Sequence, residues 1–376
     1  MDSRVGGLAG WVRRRRSPAR PESPPDRRPS RHFSPELREL GSVRPLELFF
    51  DLVFVLAFTQ CTTLMVADPS WAGIGRGVLV LAVLWWAWVG YAWLTSVIEP
   101  EEGAVRIAMF AVMAGLLVAA LCVPEAFDDR GLTFAVAYGV VRAGHIVLFV
   151  LSSREDRALR QSVAGLAVSS AAAVTVLGVA SSVDGGMQAL LWVLAITVDF
   201  AGPALIGVAG WRLVPDHFAE RHNLMIILAL GESIVSLGVA AEVELTAAVV
   251  VAAVLGVALA SALWWIYFDV VALVTEQRLA AAAPGRERNS LARDSYSYLH
   301  FPMVAGIVVG ALGLEEIVAH VDEHLDLEHA TAVLGVVNAL VWAMIATETA
   351  HYGSTRPQLR HHVHPHGSGP AQEQPA

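Results

Sequence analysis

The chain has no lysine; all 26 of its basic residues are arginine. A Walker A loop needs a lysine, so that nucleotide-binding device is excluded. Charge is scarce altogether. Only 16% of residues are charged, against roughly 25% in soluble domains, too few to clothe a solvated surface. Cysteine is nearly absent. Cys61 and Cys122 both sit in apolar segments, which excludes a disulfide framework and leaves no zinc-ligand spacing. There is also no Gly-x-Ser-x-Gly elbow, no His-Glu-x-x-His pair and no Gly-rich dinucleotide loop. Gly231-Glu232-Ser233 lacks the second half of the elbow frame. No catalytic residue, metal ligand or cofactor is therefore assigned. The basic start is not followed by an apolar stretch, so no signal peptide is expected.

What the sequence has in abundance is long apolar runs. Of its 376 residues, 55% are hydrophobic. A membrane-spanning helix needs about 20 consecutive apolar residues. Ten such runs are read, at about 46–66, 73–96, 105–123, 132–151, 160–180, 187–208, 222–240, 245–273, 296–319 and 330–350. The fold class is thus an all-α polytopic transmembrane bundle, occupying 45–351. Residues 1–44, rich in Arg, Pro and Ser, read as a disordered basic tail that could touch anionic headgroups. Residues 352–376, rich in His and Pro, read as a second disordered tail rather than a metal site. Arginine counts set the orientation. With the N-terminus inside, inner segments hold 23 arginines and outer loops only Arg76 and Arg130. That bias predicts a multipass protein of the bacterial inner membrane with both termini cytoplasmic. The expected partners are membrane lipids and a proton or small solute. The tethered arginine run lacks a nucleic-acid motif, and nothing specifies the oligomeric state.

Ionisable groups inside apolar segments are the candidate functional residues, because each costs energy at membrane depth unless it is paired or hydrated. Glu232 lies near the middle of the seventh run. It is expected to face the bundle interior within reach of a basic or hydroxyl partner, with Arg142, His145 and His300 the leading candidates. The bland alternative is a protonated carboxyl acting as interhelical glue. Arg142 and His145 share a face of the fourth run, and Asp199 in the sixth is a partner of suitable depth for the arginine; a structural Arg–Asp pair is the competing reading. Glu47 and Asp51, four apart, share a face at the inner end of the first run. Glu47 alone is also explained by the positive end of a helix dipole. Glu220 and Arg221 open the seventh run, and His300 lies near the inner end of the ninth. Glu47, Asp51, Glu220, Arg221 and His300 are expected to converge at the inner rim.

The first three runs echo the seventh to ninth. Leu56-Ala-Phe-Thr-Gln60 aligns with Leu228-Ala-Leu-Gly-Glu232, Trp85-Trp86 with Trp264-Trp265, and Met113-Ala-Gly115 with Val304-Ala-Gly306. Six runs separate the copies, so the repeat would be parallel, an arrangement that places sites between halves in transporters.

Three stretches carry a family resemblance: ELFFDLVFVLAFTQ (Glu47 to Gln60), HFAERHNLMIILALGESI (His217 to Ile234) and YSYLHFPMVAGIVVGALGLE (Tyr296 to Glu315). Together they resemble the bacterial low temperature requirement A family. The matching positions include Glu47, Asp51, Glu220, Arg221, Glu232, Ser233, Tyr298 and His300. The resemblance implies a multipass membrane protein whose second set of six spans is incomplete in this chain; it brings no mechanism. Three functions stay open: a secondary transporter or ion-conducting protein built on buried carboxylates and histidines, an integral-membrane enzyme acting on a lipid-like substrate, and a non-catalytic stress or scaffold protein. The first would gather Glu232, Asp199, Arg142 and His145 around one cavity. The second would gather acids and histidines at one leaflet. The third would lock every polar group in a pair.

Overall fold

The computed structural model describes residues 43–101, 103–152, 156–206, 210–240 and 247–319. The two tails and the tenth run at 330–350 lie outside the described residues. Helices account for almost everything described, and there is no β-strand among these residues. The order is α1 (Pro45–Ala67), α2 (Trp71–Thr95), α3 (Gly103–Cys122), α4 (Gly131–Ser152), α5 (Arg157–Ala180), α6 (Gly185–Ile206) and α7 (Pro215–Ala240). α8 (Ala247–Ile266) continues through a π-helical segment, Tyr267–Ala272, into α9 (Leu273–Ala281). α10 (Arg286–Leu291) likewise runs through a π-helical segment, Ala292–Tyr298, towards α11 (His300–Ala319).

Eight of these helical stretches are long and apolar enough to cross a membrane. α7 is equally long but carries Asp216, Glu220, Arg221 and Glu232. The all-α polytopic bundle read from the sequence is the fold observed.

Local chemistry sets the helix starts. Pro45 opens α1, where its missing N–H costs nothing, and the Glu47 carboxylate accepts the Arg44 amide at 2.8 Å. The Ser70 hydroxyl accepts the Gly73 amide at 3.2 Å to cap α2, and Asp156 caps α5 through the amides of Ala158 and Leu159.

α2 is the axis of the bundle. About 89% of its apolar stretch is buried, against 28–67% in the other seven. It packs on α1, α4, α6, α7 and α11, while α3, α4, α5 and α6 pack each on the next. The outer helices turn Ile107, Phe110, Val136, Val168 and Leu205 outward, the apolar surface that lipid requires and water would penalise.

Candidate functional site

The N-terminal ends of α1 and α7 and the C-terminal end of α2 meet around one guanidinium. Arg221 donates through Nη2 to Asp51 Oδ1 at 2.5 Å, and through Nη1 to Glu47 Oε1 at 3.2 Å and Thr95 Oγ1 at 2.9 Å. His217 Nε2 lies 2.9 Å from Glu47 Oε1. The Trp88 indole donates to Asp51 Oδ1 at 2.8 Å, and its ring lies 5.5 Å from the Arg221 guanidinium carbon. Every charged member is at most 1% exposed. Helix spacing explains the convergence: Glu47 and Asp51 are four apart on α1, and His217 and Arg221 are four apart on α7, so each pair presents one face. The cluster sets two carboxylates and a histidine against one permanent cation. Asp51 Oδ2 is buried without a hydrogen-bond partner.

Two residues expected at this rim stand apart from it. Glu220 is exposed and accepts the Val43 amide at 3.1 Å; one residue from Arg221, it points about 100° away on the helix. His300 lies one ring beyond, its centroid 5.4 Å from that of His222, which in turn packs on Trp88 at 4.8 Å. His300 Nδ1 is 2.8 Å from the Ser295 carbonyl and Nε2 is 2.9 Å from the Tyr267 hydroxyl. A carbonyl only accepts, so Nδ1 carries a hydrogen; the Tyr267 hydroxyl also lies 2.8 Å from Asn223 Oδ1, to which it donates.

About halfway along α4, α5 and α6 a second charged cluster is closed on itself. Arg142 Nη2 donates to Asp199 Oδ1 at 2.8 Å; the Tyr138 hydroxyl donates to Asp199 Oδ2 at 2.5 Å and the Ser170 hydroxyl to Oδ1 at 2.9 Å. Arg142 Nε also donates to Ser170 Oγ at 3.1 Å. One cation meets one anion, and both carboxylate oxygens are occupied. His145, one turn from Arg142, takes no part in this pairing. Its ring is fully buried against Tyr91, Phe149 and the backbone of Gly90.

Glu232 forms a third centre. It is 1% exposed, and its Oε2 accepts the Thr59 hydroxyl of α1 at 2.8 Å, with Ser236 Oγ at 3.4 Å from Oε1. None of the basic partners expected from the sequence, Arg142, His145 or His300, reaches it. Among the described residues its contacts are hydroxyls only. The reason is topological: α2 packs on α7 on one side and on α4 and α6 on the other, and so stands between them. Glu47 meets Arg221 at one end of the α1–α7 contact and Thr59 meets Glu232 further along, so the two helices run parallel. The four groups Glu232, Asp199, Arg142 and His145 therefore do not surround one cavity.

His217, Thr59, Thr95, Trp88, Tyr138 and Ser170 are the contributors that sequence reading passed over. A signal existed for two of them: His217 precedes Arg221 by four residues and Tyr138 precedes Arg142 by four, each on the face of an already suspect charge. Among the described residues, no group of three or more His, Cys, Asp or Glu is arranged to hold a metal ion.

The comparisons agree with this picture at the level of family. The family model described as bacterial low temperature requirement A protein matches residues 42–364. An uncharacterized protein of Rhizobium meliloti, RA0937, is 31% identical over 308 residues, covering 77% of this chain and 73% of its own length. No solved structure matches. The Arg221 cluster falls wholly within the matched region, and the chain belongs to the bacterial low temperature requirement A family of multipass membrane proteins.

Proposed function

We propose that the protein is a secondary transporter or ion-conducting protein whose ionisable centre is the Glu47–Asp51–His217–Arg221 cluster. The observation that carries this reading is the imbalance of the cluster. Two carboxylates share one arginine, and Asp51 keeps a buried oxygen without a partner. A buried excess acid is costly when ionised and unpaired. Taking up one proton on Glu47, Asp51 or His217 removes the excess without breaking the Arg221 pair. Groups that gain and lose a proton at low cost inside an apolar bundle are the working parts of proton pathways. Glu232, held by hydroxyls that suit either protonation state, is a second station further along the same α1–α7 seam.

The protein would lie in the inner membrane with both termini cytoplasmic, the orientation that the arginine bias supports. This puts the Glu47 cluster at the cytoplasmic end. Cysteine introduced at Asp184, between α5 and α6, should label from outside intact cells, and cysteine at Ser290 should not. Labelling at Ser290 with none at Asp184 would reverse the orientation.

The transport reading is tested in proteoliposomes carrying an internal pH dye and a panel of ions and small solutes. The wild-type chain should couple a solute gradient to proton movement. Asp51→Asn should abolish that coupling while the protein stays folded in detergent. Proton-coupled flux at the wild-type rate in the Asn variant would remove the cluster as the working centre.

A further inference from the structure

α2 has two working faces. Trp88 and Thr95 turn towards the acidic cluster. Trp86, Gly90 and Trp93 lie on the opposite side, where α2, α4, α5, α6 and the π-helical segment Ala292–Tyr298 leave a void of about 20 Å³. That is room for one small ion or one or two waters.

The chemistry of this lining is one-sided. It contains Arg142, Arg293 and His145, and no Asp or Glu among the described residues. Two of its side chains bury indole nitrogens with no hydrogen-bond partner, Nε1 of Trp86 and Nε1 of Trp211, and the buried His145 ring has no side-chain partner. The indole nitrogens are donors only, and an imidazole always carries at least one N–H. Asp199 engages Arg142 through Nη2, leaving Nη1 on the Gly90 side. A Cβ at Gly90 would stand 2.8 Å from the His145 ring and 3.1 Å from Arg142 Nη1, so the absent side chain is what lets these two basic groups pack against α2 beside the void. The nearby acceptors are already taken. Ser297 Oγ receives the Trp93 indole, the Ser297 carbonyl receives Trp85, and the Pro203 carbonyl receives Arg293. Arg293 is partly exposed, its side chain 18% accessible, and stands where the void opens.

Buried donors without acceptors are costly and are normally satisfied by a ligand or water. We infer that this void is a binding site for a small monovalent anion, of chloride or formate size, held by Arg142, His145 and the indoles of Trp86 and Trp211, with Arg293 at the entrance. The void sets the size limit. The sign comes from a lining that offers buried donors and no carboxylate; its two arginines are paired from outside the void, Arg142 with Asp199 at 2.8 Å and Arg293 with Asp294 at 2.7 Å, so the donors rather than a net charge select an anion. As a transported solute, this anion would travel beside the proton site across the width of α2. That consequence rests on the transport reading; the binding site does not.

The test is equilibrium binding to the purified full-length chain in detergent, at constant ionic strength with gluconate as the bulk anion. Chloride and formate are titrated separately, and the melting temperature is followed. A ligand that binds only the folded state raises it saturably. Both small anions should give such a rise, and further gluconate should not. Gly90→Val, whose side chain would push His145 and Arg142 Nη1 out of place, should abolish it. Arg293→Gln, at the partly exposed entrance, and His145→Phe should each weaken it about tenfold, and these keep the test valid if the valine variant does not fold. A folded wild-type chain with no saturable response overturns the site, as does an unchanged response in both Arg293→Gln and His145→Phe. Binding without flux in proteoliposomes leaves the site standing and removes the transport reading. Flux with no saturable binding does the reverse.

Discussion

Arg142 and Arg221 are both fully buried arginines, each on a long helix, each paired with a carboxylate within 2.8 Å. Their surroundings differ in one respect. Around Arg142 the charges cancel and both Asp199 oxygens are occupied by Arg142, Tyr138 and Ser170. Around Arg221 there are two acids and a histidine for one cation, and one Asp51 oxygen has no partner. A closed pair resists change in either member, because any loss strands a charge. A cluster with an acid to spare has a second protonation state close at hand. Burial and pairing alone do not separate a structural charge from a working one; charge balance and free valence do.

The largest effects should come from removing the cations. Arg221→Met takes the shared cation from two carboxylates and Arg142→Met from one, and a broken buried pair costs about 3–5 kcal/mol. Both variants should melt well below wild type in detergent, Arg221→Met lower. The comparison sharpens with the partner also removed. Arg142→Met with Asp199→Leu should recover most of the lost stability, since apolar replacement of a buried pair is often neutral. Arg221→Met with Asp51→Leu should recover less, because Glu47 has lost its arginine as well. Equal recovery in the two double variants would erase the distinction between the clusters.

Next in size is an effect on transport rather than folding. Asp51→Asn should keep the melting temperature near wild type and slow proton-coupled flux by about a hundredfold, the range of a lost proton-transfer group. Tyr138→Phe, which removes one hydrogen bond from the Arg142–Asp199 pair and keeps both charges, should retain flux within a few-fold. The reverse pattern would make the balanced pair the working one.

Smaller still is the response at Glu232. Glu232→Gln keeps an acceptor for Thr59 and should leave stability almost unchanged. Growth of a deletion strain in the cold, scored beside protein level, then reports whether the carboxyl is needed. Full rescue by the Gln variant would leave Glu232 as interhelical glue.

The smallest effect belongs to the hydroxyl that holds Glu232. Thr59→Val should cost about 1 kcal/mol, the scale of one interhelical hydrogen bond. A loss several times larger would mean that Glu232 depends on Thr59 as strictly as Asp199 depends on Arg142.

The apolar runs announced the helices because a span is a length and composition constraint that leaves a mark on every residue of it. The first nine runs correspond to α1 through α11, with the eighth and ninth each extended by a π-helical segment. Arg142 and Asp199 were legible as a pair because each was a charge at matching depth with few alternatives. Glu232 was legible as a buried acid, but its partner was not. Thr59 is an ordinary residue in a run of apolar ones, and only the packing of α1 against α7 brings it within 2.8 Å. The donor-lined void left no trace for a similar reason. It depends on the absence of a side chain at Gly90 and on indole nitrogens whose direction is set by tertiary contacts.

The two π-helical segments, Tyr267–Ala272 and Ala292–Tyr298, bear on how this chain tolerates editing. A π turn holds one residue more than the α-helix around it and often sits at a functional site. Deleting a single residue from Ala292–Tyr298 would let the helix relax to α geometry with α10 and α11 still in phase, because the residue removed is the extra one of the π turn. The change would fall inside the segment, where Arg293 and Ser297 would shift against Trp93 while His300 kept the Tyr267 hydroxyl. A further residue added there has no such outlet and would turn α10 by about 100° relative to α11. Length in this segment therefore tolerates one loss and not one gain, whereas a point substitution changes single contacts.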